Sequence, residues 1–303
     1  MKKPLCNFSK MVDTLSETAF SYLVSAPAMI LFLVLGLFPI LYSLGVSFWN
    51  YRLNNPSQQH FIGLTNYIAM FNDPVFMSSL GKTVYYTLVT VVLSTGLGLL
   101  VALILNQKFK GKSLFLLVML VPWAIPKVVN GLMWKWIYDG NFGILNAIML
   151  HLGLIKEYQW WFTQSPLTAM NLVIVADVWK NVPFAALLLL TALQSVSVSL
   201  YEAARCDGAS LWQQFRNVTL PNIRYTLMMV LILQTMWSLK AFDLIYVLTK
   251  GGPGTSTTIT YYYVFQQAFD YLNQGYGSAL AYFVSVLIIV FSGIYFKILG
   301  HDD

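Results

Sequence analysis

Charge is scarce in this 303-residue chain: Asp, Glu, Lys and Arg together make up 10% of it. A soluble domain carries about a quarter, so a water-facing surface of ordinary composition is excluded. Only 12 residues are acidic, and no DxxxD or HxxxH falls inside an apolar segment, which argues against a membrane enzyme built on paired carboxylates or a histidine cluster. Cysteine is limited to Cys6 and Cys206. Both map to the reducing side in the topology below, so no disulfide is expected. His60, His151 and His301 have no partner His or Cys at ligand spacing, and neither a metal site nor a cofactor is expected. No GxxxxGK[ST] phosphate cradle occurs, so nucleotide hydrolysis of that kind does not reside here. No clustered basic face argues for nucleic acid.

Apolar side chains are abundant. They make up 57% of the sequence, with a mean hydropathy of +0.64, more than one soluble core can bury. The expected fold is an all-α integral membrane protein. Six stretches, near 21–48, 83–105, 113–137, 167–194, 224–248 and 276–299, are long enough for helices across about 30 Å of hydrocarbon. The first is too long for a cleavable signal core and reads as a retained anchor. Residues 1–20 would be a cytoplasmic segment, with a weak amphipathic pattern along Val12, Leu15 and Ala19. Residues 21–299 would form the membrane domain, and 300–303 a short cytoplasmic end. Lys2, Lys3, Lys10, Lys108, Lys110, Lys112, Arg205, Arg216, Arg224 and Lys297 fall on one side of this arrangement. Arg52, Lys82, Lys156 and Lys250 fall on the other. The positive-inside bias therefore puts both termini in the cytoplasm of a multi-pass protein.

The connection at 195–223 lies on that cytoplasmic side. Ser199 with Glu202, and Ser210 with Gln213, have the spacing of two capping boxes, each starting a helix. Gly208 sits where the first should end. Pro221 opens the fifth span or stops what precedes it. Leu211, Trp212, Phe215 and Val218 form one stripe, with Gln213, Gln214, Arg216 and Asn217 facing away. A helix this short needs something to pack against. The stripe could lie on the membrane surface, on the protein's own spans or on another protein.

Glu202-Ala203-Ala204, Gly208 and then Val218-Thr219-Leu220-Pro221 resemble the EAA signature of membrane subunits in bacterial ATP-binding-cassette importers, with Val218 where Ile is usual. Phe61-Ile62-Gly63-Leu64-Thr65-Asn66-Tyr67 with Asp73-Pro74, and Leu248-Thr249-Lys250-Gly251-Gly252-Pro253-Gly254-Thr255-Ser256-Thr257, are similar to the carbohydrate, maltose-type permeases of that family. The resemblance implies half of a translocation path in a bacterial inner membrane. It implies as partners a second permease subunit, two ATPase subunits that carry the nucleotide chemistry, an extracytoplasmic solute-binding protein and a carbohydrate substrate. It also implies an EAA coupling loop between the fourth and fifth helices, where Glu202, Ala203, Ala204, Gly208, Leu211, Trp212 and Phe215 meet the ATPase. Glu202 would offer a charge, the two alanines a slim helix and Gly208 a turn.

Ionisable residues within spans cost at least about 2.5 kcal/mol each at mid-bilayer unless paired or hydrated. Asp177 and Lys180 lie three apart on the fourth span, Lys240 and Asp243 three apart on the fifth, and Lys127 near the middle of the third. They could line the path or act as neutralised pairs cementing the bundle. Lys135 can snorkel. Pro122, Pro126 and Pro183 interrupt spans and free carbonyls that a cavity or neighbour must satisfy. Trp123, Trp134, Trp136 and Trp179 could stack on a sugar or join the interfacial belt, where Trp160 and Trp161 belong. The surplus of lysine over aspartate hints at an acidic sugar. The competing reading is an ion-coupled secondary transporter acting as a dimer, which leaves the capped loop without a task.

Overall fold

The computed structural model describes residues 16–299. Cys6, His301, residues 300–303 and nearly all of the expected N-terminal segment lie outside them. In chain order the main elements are α1 Glu17–Leu31, a π turn Phe32–Leu37, α2 Phe38–Ser47, β1 Trp49–Asn50, β2 His60–Phe61, α3 Thr65–Phe71 and α4 Pro74–Asn106. Then come α5 Lys112–Ala124, α6 Lys127–Ile137, α7 Ile144–His151, α8 Trp161–Gln164, α9 Pro166–Ser195 and α10 Val198–Cys206. The remainder is α11 Leu211–Gln214, a π turn Phe215–Thr219, α12 Leu220–Leu239, α13 Asp243–Leu248, α14 Thr260–Phe265, a π turn Gln266–Asp270 and α15 Gln274–Leu299. The two short strands pair antiparallel, Trp49 opposite Phe61 and Asn50 opposite His60.

Among the described residues, four helices are long and apolar enough to cross a membrane: Phe20–Ser47, α4, α9 and α15. The expected third span makes a fifth only as a bent pair, because α5 and α6 meet at 97°. The cause is local. Pro126 excludes helical geometry from the residue before it, so Ile125 is extended (φ −71°, ψ 131°) and α6 restarts with Pro126 as its N-cap. The expected fifth span is also interrupted. After 20 residues α12 stops at Lys240, and α13 begins at Asp243. Polar Arg224, Gln234, Thr235 and Ser238 dilute the apolar run of α12, which is not among the four.

Two spans extend beyond their most apolar stretches because their starts are capped. Asp73 accepts from the amides of Val75 and Phe76 with Pro74 in the first turn, so α4 begins nine residues earlier than hydropathy indicates. Ser165 accepts from Thr168 ahead of Pro166, starting α9. Helix α9 is the centre of the bundle: 61% of its most apolar window is buried, against 0% for Phe20–Ser47. It packs along α4 at close range, since a Cβ on Gly98 would lie 2.6 Å from Ala185 Cβ. Phe20–Ser47 instead lies at the periphery and touches the bundle mainly through α2 on α15.

Beneath the 195–223 connection, Leu105, Leu189, Leu193, Val196 and Ile223 form a core patch that Tyr201 and Val218 cover. At the opposite end, Asp73 Oδ2 accepts from Tyr263 (2.7 Å) and Tyr276 (2.8 Å), tying α4 to α14 and α15. Burial alone would raise the Asp73 pKa, but these hydroxyls and the two capped amides together hold it below the ordinary carboxylate value.

Candidate functional site

Two places carry the candidate residues: the helical hairpin at 198–214 and the break between α5 and α6. In the hairpin, α10 ends in a Schellman turn. The Gly208 amide donates to Arg205 O (3.0 Å) and the Ala209 amide to Ala204 O (2.9 Å), while Gly208 takes φ +74°, a conformation glycine adopts without a Cβ clash. Helix α11 opens with the expected box: Ser210 Oγ accepts from the Gln213 amide (3.3 Å), and Gln213 Oε1 accepts from the Ser210 amide (2.7 Å). The other box is corrected. Ser197, not Ser199, is the N-cap of α10, and it makes no side-chain capping bond. Its hydroxyl instead pairs with Ser199 Oγ at 2.7 Å, leaving Glu202 on the exposed side of the second turn.

The stripe divides. Leu211 and Trp212 stand 83% and 68% exposed. Phe215 is half-buried and stacks on Trp212 with ring centres 5.6 Å apart. Gln214 does not face away: it is buried and donates from Nε2 to Ala209 O. Pro221 neither opens a new helix nor stops one. The wide turn Phe215–Thr219 just before it makes room for a ring that would crowd the carbonyl one turn back, so α11 runs into α12 without a stop. Tyr201 of α10 reaches this turn, its hydroxyl 3.0 Å from Thr219 Oγ1. Glu202 and Ala203 are exposed and Ala204 half-buried. A cavity of about 1080 Å³, lined among others by Leu103, Leu193, Tyr201, Arg205 and Trp212, opens between this hairpin and the ends of α4 and α9.

At the break, Lys180 answers carbonyls that the interruption of the helix leaves free. Its Nζ donates to Trp123 O (2.8 Å) and to Ile125 O. Asp177, one turn earlier on α9, accepts from Tyr86 Oη at 2.7 Å. Sharing a face, the two hydrogen-bond to different partners, and no ion pair joins them among the described residues, although the Asp177 charge still acts on Lys180. The pairing of Lys240 with Asp243 on one helix is corrected too: Lys240 ends α12 and is exposed, whereas Asp243 sits in the first turn of α13, where its charge suits the helix dipole.

Lys127 begins α6 beside a cavity of about 330 Å³ whose walls also include Trp123, Lys180, Asn181 and Trp237. That is within the range of small-ligand sites. Trp123 and Trp237 both pack on Phe184, at 5.8 and 4.8 Å between ring centres. Trp134 and Trp179 meet edge to face at 5.8 Å, with Trp134 packed against the core; Trp136 is 70% exposed. Thus Lys127, Lys180 and Trp123 share one cavity, while Asp177 and Trp179 are not in its lining. Asn181 and Trp237 escaped the sequence reading. The only signal for them was spacing, one residue from Lys180 and three from Lys240.

The family of binding-protein-dependent transport system inner membrane components matches residues 94–299, a range that takes in both the break and the hairpin. The chain is similar to the trehalose/maltose transport system permease protein MalF of Thermococcus litoralis. The two are 37% identical over 285 residues, covering 93% of this chain and 94% of the relative. It is 35% identical over 302 residues to the sulfoquinovosyl glycerol transport system permease protein SmoG of Agrobacterium fabrum, covering 100% and 97%. Among solved structures, a chain of a bacterial ABC transporter involved in the import of the acidic polysaccharide alginate superposes with a TM-score of 0.78 at 22% identity. The match covers 91% of this chain and 93% of that one and is a likeness of fold.

Proposed function

Because this chain belongs to the binding-protein-dependent transport system inner membrane component family, we propose that it is the transmembrane half of an ATP-driven carbohydrate importer, coupled through the 198–214 hairpin to a separate ATPase. In this reading the bundle has six spans, α12 with α13 supplying one of them and the broken α5–α6 pair another. Both termini and the hairpin face the cytoplasm, in keeping with the lysine and arginine bias. A second permease subunit completes the path, two ATPase subunits dock beneath, and a solute-binding protein delivers substrate from outside. The sugar class is supported by relatives named for trehalose/maltose and sulfoquinovosyl glycerol transport.

One observation carries the coupling proposal. Leu211 and Trp212 are apolar, adjacent and largely exposed on a capped helix that a left-handed glycine turn holds against α10. An apolar pair of this kind, beside exposed Glu202 and Ala203, suits an aromatic anchor in a partner's groove, where such residues dominate binding energy. Glu202 offers the partner a charge. Ala203 and Ala204 let α10 approach closely, and Phe215 backs Trp212.

The test is energetic. Uptake by cells carrying this chain should persist when proton and sodium gradients are collapsed and stop when ATP is depleted. The opposite pattern would mean an ion-coupled carrier and would end the coupling proposal.

A further inference from the structure

The cavity at the break between α5 and α6 has an electrostatic character that the importer reading does not require. Both ionisable residues of its lining are lysines, Lys127 and Lys180. Lys180 is 6% exposed and directs two hydrogen bonds to backbone carbonyls; an ammonium has three donors, so one remains. Lys127, half-buried, has no hydrogen-bond or ion-pair partner among the described residues. It also occupies the first turn of α6, an 11-residue helix whose N-cap, Pro126, supplies no side-chain acceptor, so the first amides of that helix are uncapped. Asn181, 3% exposed, lines the same space, and among the described residues its side-chain amide makes no hydrogen bond. Asp177, one turn from Lys180 on α9 and acting on its charge, accepts a hydrogen bond from the Tyr86 hydroxyl and lies outside the lining. Positive charge, orphan amide donors and an unpartnered buried amide converge where a helix is broken inside the bundle. Half-helix N-termini at membrane depth favour anionic groups for the same reason.

We propose that this cavity is a subsite for an acidic sugar. The carboxylate or sulfonate of a glycoside would sit between Lys127 Nζ, the remaining Lys180 donor and the first-turn amides of α6. Asn181 would bond a ring hydroxyl, and Trp123 and Trp237 would pack on the sugar's apolar face. This rests on the importer reading for its biological setting, but its test does not use ATP. A failure here with ATP-driven uptake intact would remove the subsite alone.

The probes are methyl β-D-glucuronide and the neutral methyl β-D-glucoside. Each is titrated into the transporter isolated in native-lipid nanodiscs with the subunits that accompany it, following tryptophan fluorescence. The parent protein is expected to bind the glucuronide at least about tenfold more tightly than the glucoside. Lys127→Gln should bring that ratio to within about threefold of one, and Lys127→Arg should keep it. Lys127→Met, which preserves the apolar stem, stands in if the glutamine variant does not assemble. Lys110→Gln, an exposed lysine in the α4–α5 connection, controls for net charge and should leave the ratio as in the parent. Equal affinity for the two probes, no saturable binding of either, or a preference that survives loss of the Lys127 charge would overturn the proposal.

Discussion

Substitution of Gly208 separates a coupling role from a folding role. Its φ of +74° lies in the left-handed region, where an L-residue pays about 1–2 kcal/mol, asparagine and aspartate least among them. A Cβ built there meets nothing within 4 Å, so no clash adds to the dihedral cost. Both Schellman bonds come from backbone amides and survive any side chain. A penalty of that size is small against a typical folding stability of about 5–15 kcal/mol, yet it shifts the local population of the turn by roughly 5- to 30-fold. Expression, co-purification of partner subunits and thermal stability should therefore hardly change in Gly208→Asp, while ATP-driven uptake falls several-fold. Gly208→Asn should lose least and Gly208→Val most, because β-branching adds to the strain. Uptake is measured in cells as initial rates of labelled sugar entry, and assembly by pull-down from the same membranes. Parent-level uptake in Gly208→Val would refute the reasoning; a parallel loss of assembly would make the turn a structural element only.

Three further outcomes follow from the bundle. Asp73→Ala removes the acceptor for two tyrosine hydroxyls and two amides and should cost about 1–3 kcal/mol by thermal unfolding. Because the folded carboxyl is held low, its contribution is complete above about pH 4 and disappears as pH falls through the depressed value, a component absent from Asp73→Asn. Gly98→Val places branches where Ala185 Cβ already sits 2.6 Å from a single carbon, and should lower stability by about 1–3 kcal/mol; Ala185→Gly in the same chain should recover part of it, and full additivity in the melting data would contradict the contact. Lys180→Met strips the donors from Trp123 O and Ile125 O, two carbonyls of a bent span; a loss of about 1–3 kcal/mol is expected, and an unchanged melting profile would show that water serves them equally well.

Where the sequence spoke through composition, and in one of its two capping boxes, the structure agrees closely. Ser210 with Gln213 forms its box, Gly208 turns left-handed and the most apolar runs are helical. Averaged hydropathy could not place the breaks. Pro122 and Pro126 announced a weakness in the third span but not a 97° bend, which depends on Ile125 becoming extended and on Lys180 satisfying the carbonyls from another helix. The interruption at Lys240 to Phe242 has neither proline nor glycine to signal it, so two charges three apart in sequence suggested one face where there are two helices. Ser199 and Glu202 had the right spacing for a cap, but Ser197 begins the helix sooner. The early start of α4 was legible in Asp73-Pro74 and hidden by the polar residues up to Lys82. Asn181 and Trp237 join the cavity only through tertiary approach, which no single-chain pattern encodes.

The uninterrupted run from Leu211 through the widened turn to Leu239 has a mechanical consequence. At 1.5 Å per residue it is a rod of roughly 43 Å, with exposed Leu211 and Trp212 at one tip and Trp237, a wall of the lysine-lined cavity, near the other. Helices resist compression and bending far better than loops do, so a push delivered at the first tip arrives as tilt at the second. If the hairpin is gripped as proposed, the grip would act at a distance on one wall of that cavity.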